Sequence, residues 1–271
     1  MSRDSGRTPP RSAWFWPVLA GSLSLAALFL VLPVVAVLTD TGPGRLLSRL
    51  TDDASLQALR LSLETSAIAI ALIVAVGTPA AYLLAMRRFP GRAIVITIVE
   101  LPLVLPPAVA GLGLLAALGP HGFLGGALAR VHVGLVLRTA GVVVALAFVA
   151  SPFYLRQAQI AFAGLDRTLL EAARTLGASP ARTFMRVALP LAGPGLLAGV
   201  GVAWARALGE FGATLLFAGS LPGVTQTAPL AIYGRLATDF DGALALAALL
   251  LCVSAGLLAA IKLVGRADAA G

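Results

Sequence analysis

The sequence predicts an all-α, polytopic membrane protein with six transmembrane helices, and three observations carry that prediction. Hydrophobic residues make up 59% of the 271-residue chain and charged residues only 12%, half the roughly 25% charge of a soluble domain. Six stretches, 17–38, 61–85, 94–118, 134–155, 189–218 and 243–264, reach the ~20 apolar residues that carry a helix across a bilayer. The basic residues fall in short clusters between those stretches, as membrane topology signals do.

Taken in order, residues 1–15 form a polar, proline-containing tail expected to be disordered. Trp14 and Trp16 follow where interfacial aromatics belong. Residues 16–55 hold the first span and an outer loop. The apolar run after Arg11 is long for a signal peptide and lacks a small-x-small exit before Asp40, so it is read as a retained span. Residues 56–264 form the remaining five-span core, in which Pro102, Pro106 and Pro107 interrupt the third span. Residues 265–271 are a short tail.

Loop charge orients the spans. With the N-terminus in the cytoplasm, thirteen basic residues lie inside: Arg3, Arg7, Arg11, Arg87, Arg88, Arg92, Arg156, Arg167, Arg174, Arg182, Arg186, Lys262 and Arg266. Six lie outside: Arg45, Arg49, Arg60, Arg130, Arg138 and Arg235. The excess places both termini in the cytoplasm. The same clustering argues that the +8 net charge reports topology rather than nucleic-acid binding. Cys252, the single cysteine, has no disulfide partner and too few companions for a thiolate metal site, and is expected to be a small buried hydrophobe.

The segment 156–188 between spans four and five is too charged for lipid. From Gly164 it reads as a helix capped by Asp166, with Leu165, Leu169, Ala172, Ala173 and Leu176 at helical spacing. Gly177 stands where a left-handed terminator is favoured, and Ser179-Pro180 opens a second short helix. Two short helices joined at a glycine would suit a cleft on a cytoplasmic partner. An amphipathic loop resting on anionic headgroups is the simpler alternative.

Glu171-Ala172-Ala173, then Gly177, Val187 and Leu189-Pro190, resembles the EAA signature of ABC importer permeases, with Val187 where isoleucine is usual. The resemblance implies a type I importer permease fold, with a coupling helix over 165–187 seated in a groove of a separate ATPase subunit. Leu101-Pro102-Leu103-Val104-Leu105-Pro106-Pro107 is similar to the third span of molybdate and sulfate permeases. Arg206 to Thr214, with Gly209-Glu210-Phe211-Gly212 and the later Thr225-Gln226-Thr227, resembles the molybdate version in particular. The resemblance covers about 56–264 and implies passage of an oxyanion: molybdate, or alternatively tungstate or sulfate/thiosulfate. It also implies two copies each of permease and ATPase, and a periplasmic or lipoprotein oxyanion-binding protein, at a bacterial inner membrane.

The chain's own residues agree on the motor. A phosphate-cradling Walker A loop needs Gly-Lys-Ser/Thr, and the only lysine, Lys262, is followed by Leu263. ATP and magnesium are therefore expected on another polypeptide, with no cofactor or metal in this chain. No HExxH, GxSxG or His/Asp cluster marks an enzyme. A self-contained channel or secondary transporter is the remaining alternative, although no inverted repeat supports it.

Arg206 and Glu210 are four apart inside span five and are expected to share a helix face. A charge at mid-bilayer costs at least ~2.5–3.5 kcal/mol, so such residues pair. The pair could simply lock the helix, or Arg206 could lend positive potential to an oxyanion path with Glu210 and Thr214 beside it. Small residues recur every fourth position in two rows, Gly195-Gly199-Ala203-Ala207 and Gly201-Ala205-Gly209-Ala213, and at least one is expected to pack within the chain. Glu100 is expected to cap broken backbone or pair with an inner-loop arginine, and Glu64 to be solvated. His121 and His132 have an ordinary interfacial place in the outer loop.

Overall fold

The computed structural model describes residues 14–41, 44 and 52–270. The expected N-terminal tail with Arg3, Arg7 and Arg11, and the loop arginines Arg45 and Arg49, lie outside the described residues. Among those described, twelve α-helices and one π-helical turn occur, with no strand. They are α1 (Phe15–Thr41), α2 (Asp53–Met86), α3 (Arg92–Val104), α4 (Pro107–Leu118), α5 (Gly125–Arg130) and α6 (Thr139–Ala163). Then come α7 (Arg167–Thr175), α8 (Pro180–Thr183), the π turn Phe184–Ala188, α9 (Leu189–Leu208), α10 (Gly212–Ala218), α11 (Ala228–Arg235) and α12 (Phe240–Ala270).

Five helices are each long and apolar enough to cross a bilayer, and α3 with α4 makes a sixth span bent by 117°. The bend follows from Pro106 and Pro107. Neither has an N–H for the helical ladder, and each biases the residue before it toward extended backbone; Leu105 has ψ 130° and Pro106 ψ 137°. The pair counts as a sixth span if it is one broken crossing, and its packing on α6 is in keeping with that. Glu100 pairs with Arg156 of α6, Ala110 packs beside Val149, and Leu114 packs beside Ala145, a steady progression along one helix.

The core is the contact of α2, α6 and α9. Ala69, Ile70, Ile73, Leu146, Ala150 and Ala203 are buried there, and Tyr154 bonds its hydroxyl to that of Thr78 at 2.6 Å. Gly77 leaves room for that tyrosine; a Cβ would lie 3.0 Å from Tyr154 Cδ1. The first small-residue row packs within the chain as expected, since Gly195 faces Ala161 and Gly199 faces Gln157 and Tyr154 of α6. By contrast, α1 buries none of its apolar window and packs chiefly against α12, which suits a helix facing lipid.

Three expectations change here. Span five is not one helix over 189–218: it begins at Pro180, ends at Leu208, and is completed by the separate α10. Consequently Ser179-Pro180 starts the membrane helix itself rather than a short free one. Cys252 is exposed, on the apolar helix α12. Composition marked it as apolar, but a bilayer removes the distinction between buried and outward-facing that an aqueous setting enforces.

Candidate functional site

Two places bring the sequence-predicted residues together: the segment between α6 and α9, and the break between α9 and α10.

At the first, Asp166 caps α7 by accepting a hydrogen bond from the Thr168 N–H at 2.9 Å. That bond holds its carboxyl below the usual carboxylate range. Helix α7 ends in a Schellman turn: the Gly177 N–H donates to the Arg174 carbonyl at 2.9 Å and the Ala178 N–H to the Ala173 carbonyl at 3.0 Å. The turn requires Gly177 at φ +83°, a left-handed conformation that glycine adopts without penalty. Ser179 Oγ then accepts from the Arg182 N–H and Pro180 fills the first helical position.

The next residues form a π turn, closed by the Leu189 N–H donating to the Phe184 carbonyl. Pro190 cannot donate to the Arg186 carbonyl and its ring would crowd it, so a widened turn at this point relieves the helix. Beneath the whole segment, the rings of Tyr82, Phe162 and Phe184 meet at centroid distances of 4.7–6.2 Å. This aromatic base joins α2, α6 and the π turn. Sequence reasoning missed it, because no local spacing links three aromatics so far apart in the chain.

Helix α7 buries Leu170 and little else. Glu171, Ala172 and Gly177 are exposed, Ala173 and Leu189 are half-buried, and Pro190 is exposed. Leu176 stands 88% exposed, and Leu169 on the same helix and Met185 in the π turn are exposed too. The helix thus carries exposed apolar residues outside any core.

At the second place, α9 ends at Leu208 and Gly209 breaks the helix. Arg206 and Glu210 therefore do not share a helix face; they meet across a helix end, Arg206 Nη2 to Glu210 Oε2 at 2.6 Å. The other carboxylate oxygen accepts the Ala213 N–H at 2.8 Å, which satisfies a free donor at the start of α10. Glu210 is 2% exposed, whereas the Arg206 side chain keeps 28% exposure. Thr214, one turn on, is fully buried and its hydroxyl has no hydrogen-bond partner.

The two proline- and glycine-broken spans meet at their breaks. A Cβ on Gly212 would lie 2.8 Å from Pro107 Cβ, and one on Gly111 would lie 2.8 Å from the Ala213 carbonyl oxygen. Non-helical backbone at 105–106 and 209–211 is thus brought together at membrane depth. Such backbone is tolerated in a bilayer where it is covered by protein or lines a polar cavity, and paired broken helices are a recurrent way to build transport sites.

Glu100 pairs with Arg156, an arginine assigned to the fourth-to-fifth connection, as expected. Glu64 pairs with Arg60 and both remain largely exposed. Among the described residues no group of three or more His, Cys, Asp or Glu side chains is arranged to hold a metal.

Comparison with known proteins completes the picture. Residues 73–267 match the family described as binding-protein-dependent transport system inner membrane component. The chain is 41% identical over 254 residues to the molybdenum transport system permease protein ModB of Mycobacterium tuberculosis, covering 91% of this chain and 93% of that protein. It is 41% identical over 187 residues to ModB of Escherichia coli K12, covering 69% and 82% respectively. It is 33% identical over 254 residues to a probable sulfate transport system permease protein, cysT, of Nephroselmis olivacea, covering 92% and 88%. Among solved structures, a bacterial ABC transporter involved in alginate import superposes with TM-score 0.73 at 18% identity, covering 93% of this chain and 94% of that one. The MetNI methionine ABC transporter gives 0.63 at 19% identity, covering 79% and 95%. These establish the fold of type I ABC importer permeases.

Proposed function

The chain belongs to the family of binding-protein-dependent transport system inner membrane components, and on that premise we propose that it passes molybdate as the permease subunit of an ATP-binding-cassette importer. The observation that carries the substrate is the 41% identity over nine-tenths of the chain to a molybdenum permease, against 33% to the probable sulfate permease. Both termini are cytoplasmic, which puts α7 and its exposed apolar residues on the side where ATP is hydrolysed.

Two copies of the chain surround the path and two ATPase subunits drive it. ATP and magnesium belong to those subunits; this chain supplies the handle. Glu171, Ala172, Ala173 and Gly177 form the docking face of the coupling helix, and Leu189 and Pro190 follow the π turn inside span five, at the start of α9. The continuity of the joint between α7 and α9 supports the assignment: Schellman turn, capped α8 and π turn follow one another directly into α9. Closure of the ATPase dimer draws the coupling helices together, and the movement reaches the break at Gly209 through one continuous helical column. A periplasmic or lipoprotein oxyanion-binding protein delivers the anion to the outer loops.

Arg206 borders the path, with Glu210 holding it, whereas Thr214, expected beside them, is fully buried. A free arginine in a low-dielectric site would trap a divalent anion. One already paired with a carboxylate offers attenuated attraction, which suits a site that must also release its cargo.

The test is ATPase activity of the reconstituted complex with molybdate, tungstate and sulfate compared. Stimulation should be greatest with molybdate. Glu171→Arg and Gly177→Asp should insert normally and lose coupled transport; unchanged coupled transport in both would refute the docking assignment.

A further inference from the structure

The inner ends of α2, α3 and α7 enclose an open cavity of about 480 Å³ lined by Ala85, Met86, Arg87, Arg88, Arg92 and Arg167. We propose that this cavity binds the phosphate headgroup of an anionic phospholipid.

Its geometry is built by the backbone. Arg87 ends α2 in extended conformation with its N–H on the Leu83 carbonyl. The chain then reverses within Phe89-Pro90-Gly91, where Gly91 takes φ +81° and the Arg92 N–H returns to the Phe89 carbonyl. Arg92 Nε donates to the Leu84 carbonyl at 2.7 Å, which ties the start of α3 back to the end of α2. Arg87 and Arg88 are thereby held on a tight turn, and Arg167, the first residue of α7, closes the third side.

Four guanidinium groups line the space and no carboxylate does. The adjoining smaller cavity, which Arg87 and Arg167 also line, contains one carboxylate, Glu171, together with a further arginine, Arg174. Neither Arg87, Arg88 nor Arg167 forms an ion pair among the described residues. Arginines outnumber carboxylates across these adjoining spaces, and that surplus of like charge attracts an external anion; arginine forks match phosphate oxygens.

The surroundings select a lipid rather than a free ion. Leu83 in the last turn of α2 and Ile94 and Val95 in the first turn of α3 are exposed apolar residues within four positions of the lining arginines. A headgroup in the cavity would leave its acyl chains against them. Basic pockets between helices at the membrane surface hold acidic headgroups in this way. Binding does not depend on the transport reading, although occupancy would tie the coupling helix to α2 because Arg167 opens α7.

The test uses the full chain, assembled with its ATPase, in nanodiscs of phosphatidylcholine with and without phosphatidylglycerol. Lipid retained on the purified complex is measured by native mass spectrometry. Wild type should retain phosphatidylglycerol in preference to phosphatidylcholine, and Arg88→Gln and Arg167→Gln should each lower that preference about fivefold, the effect of one basic residue near an anionic surface. Arg130→Gln, at the opposite end of the bundle, should not lower it. Equal retention of the two lipids by wild type, or an equal loss in Arg130→Gln, would overturn the proposal. So would saturable binding of inorganic phosphate in pure phosphatidylcholine with no preference for phosphatidylglycerol, which would make the occupant a free anion. Transport activity enters none of these readings, so their failure is separable from that of the permease assignment.

Discussion

Gly177 offers a graded test of the coupling handle, because its backbone conformation is one that favours glycine. Its φ is +83° and a Cβ there would meet no atom within 4 Å. A side chain therefore adds strain but no clash. For an L-residue the left-handed conformation costs ~1–2 kcal/mol, more when β-branched and less for asparagine. Relaxing the turn to escape that strain breaks the two hydrogen bonds that orient α7 on α8. A strain of ~1–2 kcal/mol reduces the population of the oriented geometry roughly 5- to 30-fold if the relaxed turn is otherwise equal in energy. The series Gly177→Asn, Gly177→Ala, Gly177→Val should lower molybdate-stimulated ATPase activity in that order, with the membrane-inserted amount unchanged by immunoblot. Wild-type coupling in Gly177→Val would refute the reasoning. So would Asn as damaging as Val, since the loss would then follow side-chain bulk rather than backbone conformation.

Glu210→Gln keeps an acceptor for the Ala213 N–H but removes the charge facing Arg206; uptake turnover should fall about tenfold, a 1.4 kcal/mol effect, while the protein still folds. Glu210→Ala loses both contacts and should destabilise by about 1–3 kcal/mol in detergent unfolding, less than the ~3–5 of a broken fully buried pair because Arg206 is 28% exposed. Gly111→Val drives a side chain against the Ala213 carbonyl and Leu216, and should lower stability by ~1–3 kcal/mol through overpacking; Gly113→Val, in open space, should not. At the outer end, Asp52 is held below the usual carboxylate range by its hydrogen bond from Ser55 and then by Arg235. A depressed pKa contributes stability above the unfolded value and loses it as pH falls through the folded one. Thermal stability should therefore drop as pH falls below about 4, the unfolded carboxylate range, and Asp52→Asn should remove that part of the pH dependence.

Much of this was legible from the chain. The length of the apolar runs marked the spans, and Pro106-Pro107 marked the break because proline acts locally. Asp166, Gly177 and Ser179-Pro180 announced their caps for the same reason. What escaped was set by distant contacts. The π turn has only Pro190 as a local cue, and a proline near a helix start usually signals nothing more than a first turn. Glu210 reads as a helical partner of Arg206 until Gly209 breaks the helix, and a glycine in a small-residue row is equally consistent with close packing. That Gly212 would rest on Pro107, more than a hundred residues away in sequence, has no sequence signal at all. Cys252 shows the limit in another form, since an apolar run in a bilayer does not say which face meets lipid.

The most direct measurement is uptake of radiolabelled molybdate by proteoliposomes containing this chain, with its ATPase and binding protein added or withheld. A permease subunit accumulates molybdate against its gradient only when ATP, the ATPase and the binding protein are all present, and Glu171→Arg abolishes the accumulation. Molybdate flux through the chain alone, unaffected by ATP and by Glu171→Arg, would contradict that role and identify a self-contained channel or carrier instead.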